Sequence, residues 1–211
     1  MRYIIMAGGH YSEWQTPRHL TEIFGEPVIA RTIRLLRDAG VEDIAISGSS
    51  DHFMRFGVPV LHHRNEFTTD GAGTWADAFF PTAEPTCYLM GDVVFSPDAI
   101  RTIVETETDG IQFFASSPPF HPQYVKRWAE PFAFKVVDQK RFRDAIGFVR
   151  DNEKTGVFWR RPIAWELWQV IIGGKLNSID YQSYVAINDY TCDIDAPEDA
   201  KEIERAMQKW T

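Results

Sequence analysis

An α/β fold, a mostly parallel mixed sheet flanked by helices in the Rossmann-like manner, is predicted for this chain by three observations. Strand, helix and strand patterns follow one another within the first fifty residues, the order of a parallel βαβ unit. A later apolar run, "TCYLMGDVVF" (86–95), is again followed by a helical pattern, "PDAIRTIVET". The length, 211 residues, suits one domain over 1–211 with a well-buried core.

The elements follow in order. Residues 2–6, "RYIIM", form a short apolar run that Ala7-Gly8-Gly9 ends, so a buried strand enters a tight loop there. Residues 27–39, "PVIARTIRLLRDA", place Val28, Ile29, Thr32, Ile33, Leu35 and Leu36 near helical spacing. Pro27 suits the first helical position and Gly40 the stop. "DIAISG" is the second strand. In "TCYLMGDVVF" the run breaks at Gly91-Asp92, which sets an acid at a strand's C-terminal end, the edge where open α/β sheets bind ligands. "IQFFAS" (111–116) and "FAFKVV" (132–137) read as further strands, joined by the aromatic and basic "SPPFHPQYVKRWAEP", long enough to carry function. A Trp-rich helix, "IAWELWQVIIGG", and a final helix, "PEDAKEIERAMQKW", complete the chain, with no repeat or low-complexity tract.

Composition narrows the partners. Twenty-two basic against thirty acidic residues give a formal net charge of −8, which disfavours a broad grip on nucleic acid or an anionic membrane. The opening "MRYIIMAGGH" is too brief for a signal peptide or a membrane helix, so a cytoplasmic location is expected. Cys87 and Cys192 are the only cysteines and form no CxxC pair; core positions or reduced thiols are expected, not zinc.

Three constellations carry chemistry. The first is Ala7-Gly8-Gly9, then Pro17-Arg18-His19-Leu20, then Gly25-Glu26-Pro27-Val28. Glycines let backbone N–H groups approach a polyphosphate, and Arg18 supplies a mobile positive charge. Alone, the glycines would equally serve to end a strand. The second is Gly91-Asp92 with "CDIDAPEDA" near the C-terminus, acids far apart in sequence, the first of them at a strand end. Asp195 is placed to cap the last helix. The third is Gly71, Gly73 and Thr74 in "TTDGAGTW", a glycine-rich turn that Thr74 is placed to cap.

Taken together, these positions resemble the GT-A-type nucleotidyltransferases over nearly the whole chain, enzymes that join a nucleoside triphosphate to a phosphate ester. The short chain and its ending are most similar to the cytidylyltransferases and the MobA-like molybdenum-cofactor enzymes. The family's AGGxGxR loop is followed by Pro-Lys-x-Leu; here Tyr11 stands for its second loop glycine, Glu13 for its arginine and Arg18 for its lysine. Tyr11 gives up a permissive backbone and Glu13 reverses a charge, whereas Arg18 keeps one. His10 or His19 is available as a compensating donor.

The resemblance implies a GT-A fold with an acceptor-binding insertion around 117–165. It implies Met6, Ala7, Gly8, Gly9, His10 and Arg18 at the phosphates, and Gly71, Gly73 and Thr74 at the base. Asp92 would hold Mg2+ with Asp193 or Asp195, Arg18 and Asp92 being the catalytic pair. Lys135 and Arg127 are expected at the acceptor. Lys126, Arg160 and Arg161 are weaker candidates there, and Trp128, Trp159, Trp165 and Trp168 are either pocket or core. The implied reaction moves a nucleoside monophosphate, CMP favoured, to a sugar phosphate, alditol phosphate or phosphoramidate-type acceptor, releasing pyrophosphate, in surface-polysaccharide precursor synthesis. A GT-A glycosyltransferase and a non-catalytic nucleotide-binding regulator are the alternatives. Oligomeric state stays open, a homodimer included.

Overall fold

The computed structural model describes residues 1–8, 14, 16–48, 50–63, 75–118 and 129–210. In chain order its regular elements are β1 (Arg2–Met6), β2 (Glu22–Ile23), β3 (Glu26–Pro27), α1 (Val28–Asp38), β4 (Ile44–Gly48), β5 (Val60–His62), β6 (Thr86–Met90), β7 (Val93–Val94), α2 (Pro97–Glu105), β8 (Ile111–Ala115), β9 (Pro131–Val136), α3 (Gln139–Asn152), α4 (Ala164–Ile172), β10 (Val185–Ala186), β11 (Cys192–Asp193) and α5 (Asp199–Trp210). Short 3-10 turns at Arg18–Leu20, Asp51–Phe56 and Trp75–Ala78 stand between them.

Seven strands form one sheet in the order β10-β8-β9-β6-β1-β4-β5, parallel throughout except where β9 runs antiparallel to both its neighbours. The expected mostly parallel mixed sheet is therefore present. Its central strands are apolar on both faces because helices cover both: Ile4, Ile5, Ile46, Leu89 and Phe134 are fully buried, as continuous apolar runs in such sheets require. Helix α1 buries the face carrying Val28, Ile29, Thr32, Ile33, Leu35 and Leu36, the stripe read from its spacing. Pro27 is its N-cap and not its first residue, because Pro27 also closes the β2–β3 ladder. Between those two strands Phe24 and Gly25 both take positive φ, 50° and 77°, as a tight type I′ hairpin turn demands.

Helix α3 and strands β5 and β10 were not expected from the sequence. Helix α3 is capped by the Asp138 side chain, which accepts from the Arg141 N–H at 2.9 Å, and buries Phe142, Ala145 and Val149. Cys87 and Cys192 are buried free thiols, and among the described residues no helix is long and apolar enough to cross a membrane.

Candidate active site

The ends of three parallel strands crowd together at the sheet's C-terminal edge. Ala7 N–H donates to Ser47 O at 2.7 Å and Gly91 N–H to Met6 O at 3.0 Å. A Cβ on Gly91 would lie 2.3 Å from Met6 O, inside van der Waals contact. Only glycine fits, and Asp92 follows at once.

A second strand pair carries the other acids to the same place. After Asp92 the chain forms β7, which pairs antiparallel with β11 so that Asp193 lies opposite Val93; Ile194 N–H then donates to Asp92 O at 2.9 Å. The segment is pinned from outside as well: Ser96 Oγ donates to the Asp189 carboxylate, and Ser96 N–H donates to Thr191 Oγ1 at 3.0 Å. The Arg18 guanidinium pairs with Asp92. Its Nη1 also reaches Asp195 Oδ1 at 3.4 Å and Ile194 O at 3.3 Å. Asp92 and Arg18 side chains are only 15% and 13% exposed, so water screens this pair weakly.

The backbone at Asp195 is tied to the start of the last helix. The Asp199 carboxylate accepts from Asp195 N–H at 2.8 Å and Ala196 N–H at 2.9 Å. These bonds hold the Asp195 backbone beside Arg18.

Next to Arg18, His19 is buried and packs edge-on against Phe53 at 5.9 Å between ring centroids. Burial pulls its pKa down to about 4, against the opposing pull of Asp92. It is a neutral ring at physiological pH and adds no positive charge to the loop.

Arg18, Met90, Asp92, Asp193 and Asp195 form one wall of a cavity of about 560 Å³. Trp75, Glu130, Arg160, Ile163, Trp165 and Tyr181 line the same cavity. Glu130 sits just before β9, and because β9 is antiparallel its start lies at the acid-bearing edge. Arg160 Nε donates to Glu166 Oε1 at 2.6 Å, and its guanidinium stacks over Trp159 at 4.9 Å. Glu166 is buried, its other oxygen accepting from Ile163 N–H at 3.0 Å. Trp165 donates to Ala129 O at 2.9 Å, so it is both core and cavity wall; Trp168, bonded to Gln182 O at 3.0 Å, is core. Arg161 pairs instead with Glu153 at 3.1 Å.

Lys135, expected at the acceptor, is a correction. It stands opposite Cys87 on β9, towards the end of the sheet where β6 begins, and lines a different cavity with Met1 and Tyr3. Its ammonium donates to Ile103 O (2.8 Å), Val104 O (2.9 Å) and Thr106 O (2.6 Å). An ammonium has three donors, and all serve the C-terminal carbonyls of α2. Alternation with apolar residues marked a strand lysine correctly but could not say which end of the sheet it faces.

Met6, Ala7 and Gly8 are at the expected edge. Gly9, His10, Tyr11, Glu13, Gly71, Gly73, Thr74, Lys126, Arg127 and Trp128 lie outside the described residues. Trp75, Glu130 and Tyr181 escaped the sequence reading altogether. An acid directly before an antiparallel strand was the available signal for Glu130, but it is legible only once that strand's direction is known.

The donor set fits a magnesium ion. Magnesium takes a few carboxylates and completes its shell with phosphate and water oxygens, and Asp92 with Asp193 or Asp195 offers such carboxylates on one cavity wall. Among the described residues no three His, Cys, Asp or Glu side chains form an all-protein metal cage.

A nucleotide-handling α/β enzyme is the class that this edge, these acids and this arginine define. The model of the MobA-like NTP transferase domain matches residues 3–157, and the chain belongs to that family, whose chemistry is nucleotidyl transfer and whose enzymes generally use a divalent metal. Among curated proteins no sequence matches the chain significantly. Among solved structures the chain is similar to a Bacillus anthracis protein named as a glucose-1-phosphate thymidylyltransferase, in complex with sucrose. The identity is 17%, the match covers 97% of this chain and 94% of that one, and the TM-score is 0.62. That likeness establishes the shared fold.

Proposed function

We infer that the protein is a magnesium-dependent nucleotidyltransferase that joins a nucleoside monophosphate, CMP favoured, to a phosphorylated small molecule. The acceptor's phosphate oxygen attacks the α-phosphorus, a new P–O bond forms, and the bond to the β-phosphate breaks to release pyrophosphate. The observation that carries this reading is the β7–β11 ladder, which delivers Asp92 and the Asp193–Asp195 segment to one cavity wall beside Arg18. No residue need form a covalent intermediate. Arg18 and the amides of the glycine loop bind and align the phosphates. Asp92 with Asp193 or Asp195 would hold the magnesium, which when bound neutralises charge on the phosphate and leaving-group oxygens.

The segment 117–165 is assigned to the acceptor, and within it Arg160 takes the place that Lys135 does not fill. Support comes from the guanidinium's anchoring: buried Glu166 bonds it, the exposed Trp159 ring stacks on it, and it lines the same cavity as Asp92. A fixed, planar fork suits a phosphate. Sugar phosphates, alditol phosphates and phosphoramidate-type metabolites are the acceptor classes, as in precursor synthesis for surface polysaccharides.

The test is pyrophosphate release from each of CTP, dTTP, UTP, ATP and GTP with magnesium and a panel of those acceptors. Glucose 1-phosphate and dTTP belong in the panel because the structural neighbour's name carries them. The expected result is release with CTP above the others. Release with dTTP alone would overturn the choice of base. Nucleotide binding with no release from any pair would reduce the protein to a nucleotide-binding regulator.

A further inference from the structure

Away from the acids, a second cavity of about 460 Å³ lies between α3 and the turn at Trp75–Ala78. Gln139, Phe142, Arg143, Ile146 and Arg150 recur at three- and four-residue spacing, so one face of α3 presents them together. The floor is aromatic: Phe79 meets Tyr88 and Phe142 edge-on at 5.2 and 4.9 Å between centroids, and Tyr88 stacks with Phe142 at 5.7 Å. These rings are at most 5% exposed, so the core fixes their positions. The Tyr88 hydroxyl donates to Phe80 O at 2.8 Å, which leaves the floor an apolar surface.

Charge stands at the rim. Arg143 and Arg150 both line the cavity and are exposed, and Asp77 is the one carboxylate among its described lining residues. Arg150 Nε donates to that carboxylate at 2.8 Å. Arg143 bonds a backbone carbonyl instead, Thr82 O at 3.2 Å, one of the five N–H donors that a guanidinium carries. The lining therefore holds at least one positive charge in excess. No described residue lines both this cavity and that of Asp92; the turn divides them, Trp75 facing the one, Ala76 and Asp77 the other.

We propose that this cavity is a second ligand site, for a small molecule with a flat apolar body and one anionic group. The body lies on the Phe79, Tyr88 and Phe142 floor, and the anion pairs with Arg143. Close-packed interiors leave few voids larger than a water molecule, whereas sites for small molecules run from about 300 to 1,000 Å³ and combine apolar walls with a few placed polar groups. In a chain of net charge −8 a locally positive rim selects an anion, and a guanidinium suits a carboxylate or phosphate. One anionic group suffices because Asp77 already answers Arg150. The inference does not depend on nucleotidyl transfer.

The test is calorimetric titration with 2-naphthoate, which carries both features, and with 2-naphthylmethanol, its neutral counterpart. 2-Naphthoate is expected to bind with a Kd of about 1 mM or tighter, as a ligand of its size allows, and the alcohol about ten-fold more weakly. Arg143→Gln should weaken 2-naphthoate by about ten-fold with the circular dichroism spectrum unchanged. Arg160→Met and Asp92→Asn, which alter the other cavity, should leave its affinity as it was. Weaker binding to the unaltered chain, equal binding of acid and alcohol, equal affinity in Arg143→Gln, or a loss in either control as large as in Arg143→Gln would overturn the proposal. Should Arg143→Gln unfold, Thr82→Asp decides, since it sets a carboxylate beside Arg143: weaker 2-naphthoate binding supports the site, and equal binding overturns it.

Discussion

Replacing Lys135 by Met separates a structural lysine from an acceptor-binding one. Lys135 is 5% exposed, and its ammonium closes the last carbonyls of α2 with bonds of 2.8, 2.9 and 2.6 Å. Hydrogen bonds to a charged group contribute about 1.5–3 kcal/mol each, and removing the donor strands acceptors that water reaches poorly. Against this, burial lowers the Lys135 pKa, the mark of a desolvation cost that methionine does not incur. Met also keeps most of the packing of the aliphatic stem. The balance is a net loss of about 3 kcal/mol, well below the sum of the three bonds because their effects are not additive. For a chain of this size that corresponds to a fall in Tm of roughly 6–12 °C. Thermal and urea unfolding measure the loss, and acceptor titrations at a temperature where the variant is folded should show KM unchanged. A variant with unaltered Tm and a raised acceptor KM would refute the structural role and return Lys135 to the acceptor.

Gly91→Ala should cost about 3 kcal/mol or prevent folding, because the new methyl meets Met6 O at the junction of two central strands; urea unfolding that matches the unaltered chain would show that the strand ends can part. His19 has a folded-state pKa near 4 against an ordinary 6.5, so between those values the unfolded chain takes the proton first. Stability is then complete above pH 6.5 and falls by about 3 kcal/mol as pH drops to 4; unfolding curves of His19→Gln should lack that part of the slope, and parallel curves would contradict it. Arg160→Met should raise acceptor KM by about ten-fold or more, as loss of a fixed phosphate partner does, with the nucleotide KM little changed. Glu166→Gln, which loosens the anchor and keeps the guanidinium, should raise it less.

Much of the sheet was legible because its central strands are uninterrupted apolar runs ended by glycine, and α1 because its stripe repeats at helical spacing. Helix α3 is harder to read, lying between a strand and the tryptophan-rich helix, although Asp138 followed by Phe142, Ala145 and Val149 is a capped amphipathic pattern. The placement of Asp92 at the sheet's C-terminal edge was legible because the apolar run of β6 ends just before it, and that of Arg18 near it because the loop after β1 leaves the same edge. The partnership between them was not, because sequence spacing is silent on contacts made across the β7–β11 ladder. The rest of the cavity lining was least legible: Glu130 depends on the direction of β9, and Arg160 on a buried carboxylate, Glu166, that a helical pattern alone cannot distinguish from a surface acid.

The central claim is that the Asp92 edge holds the metal for nucleotidyl transfer, and turnover of Asp92→Asn at saturating nucleotide, acceptor and magnesium tests it most directly. A positioned metal contributes several kcal/mol to the transition state, so pyrophosphate release should fall by about a hundred-fold or more while the far-ultraviolet spectrum is unchanged. Release at the unaltered rate by a folded Asp92→Asn variant would contradict the account.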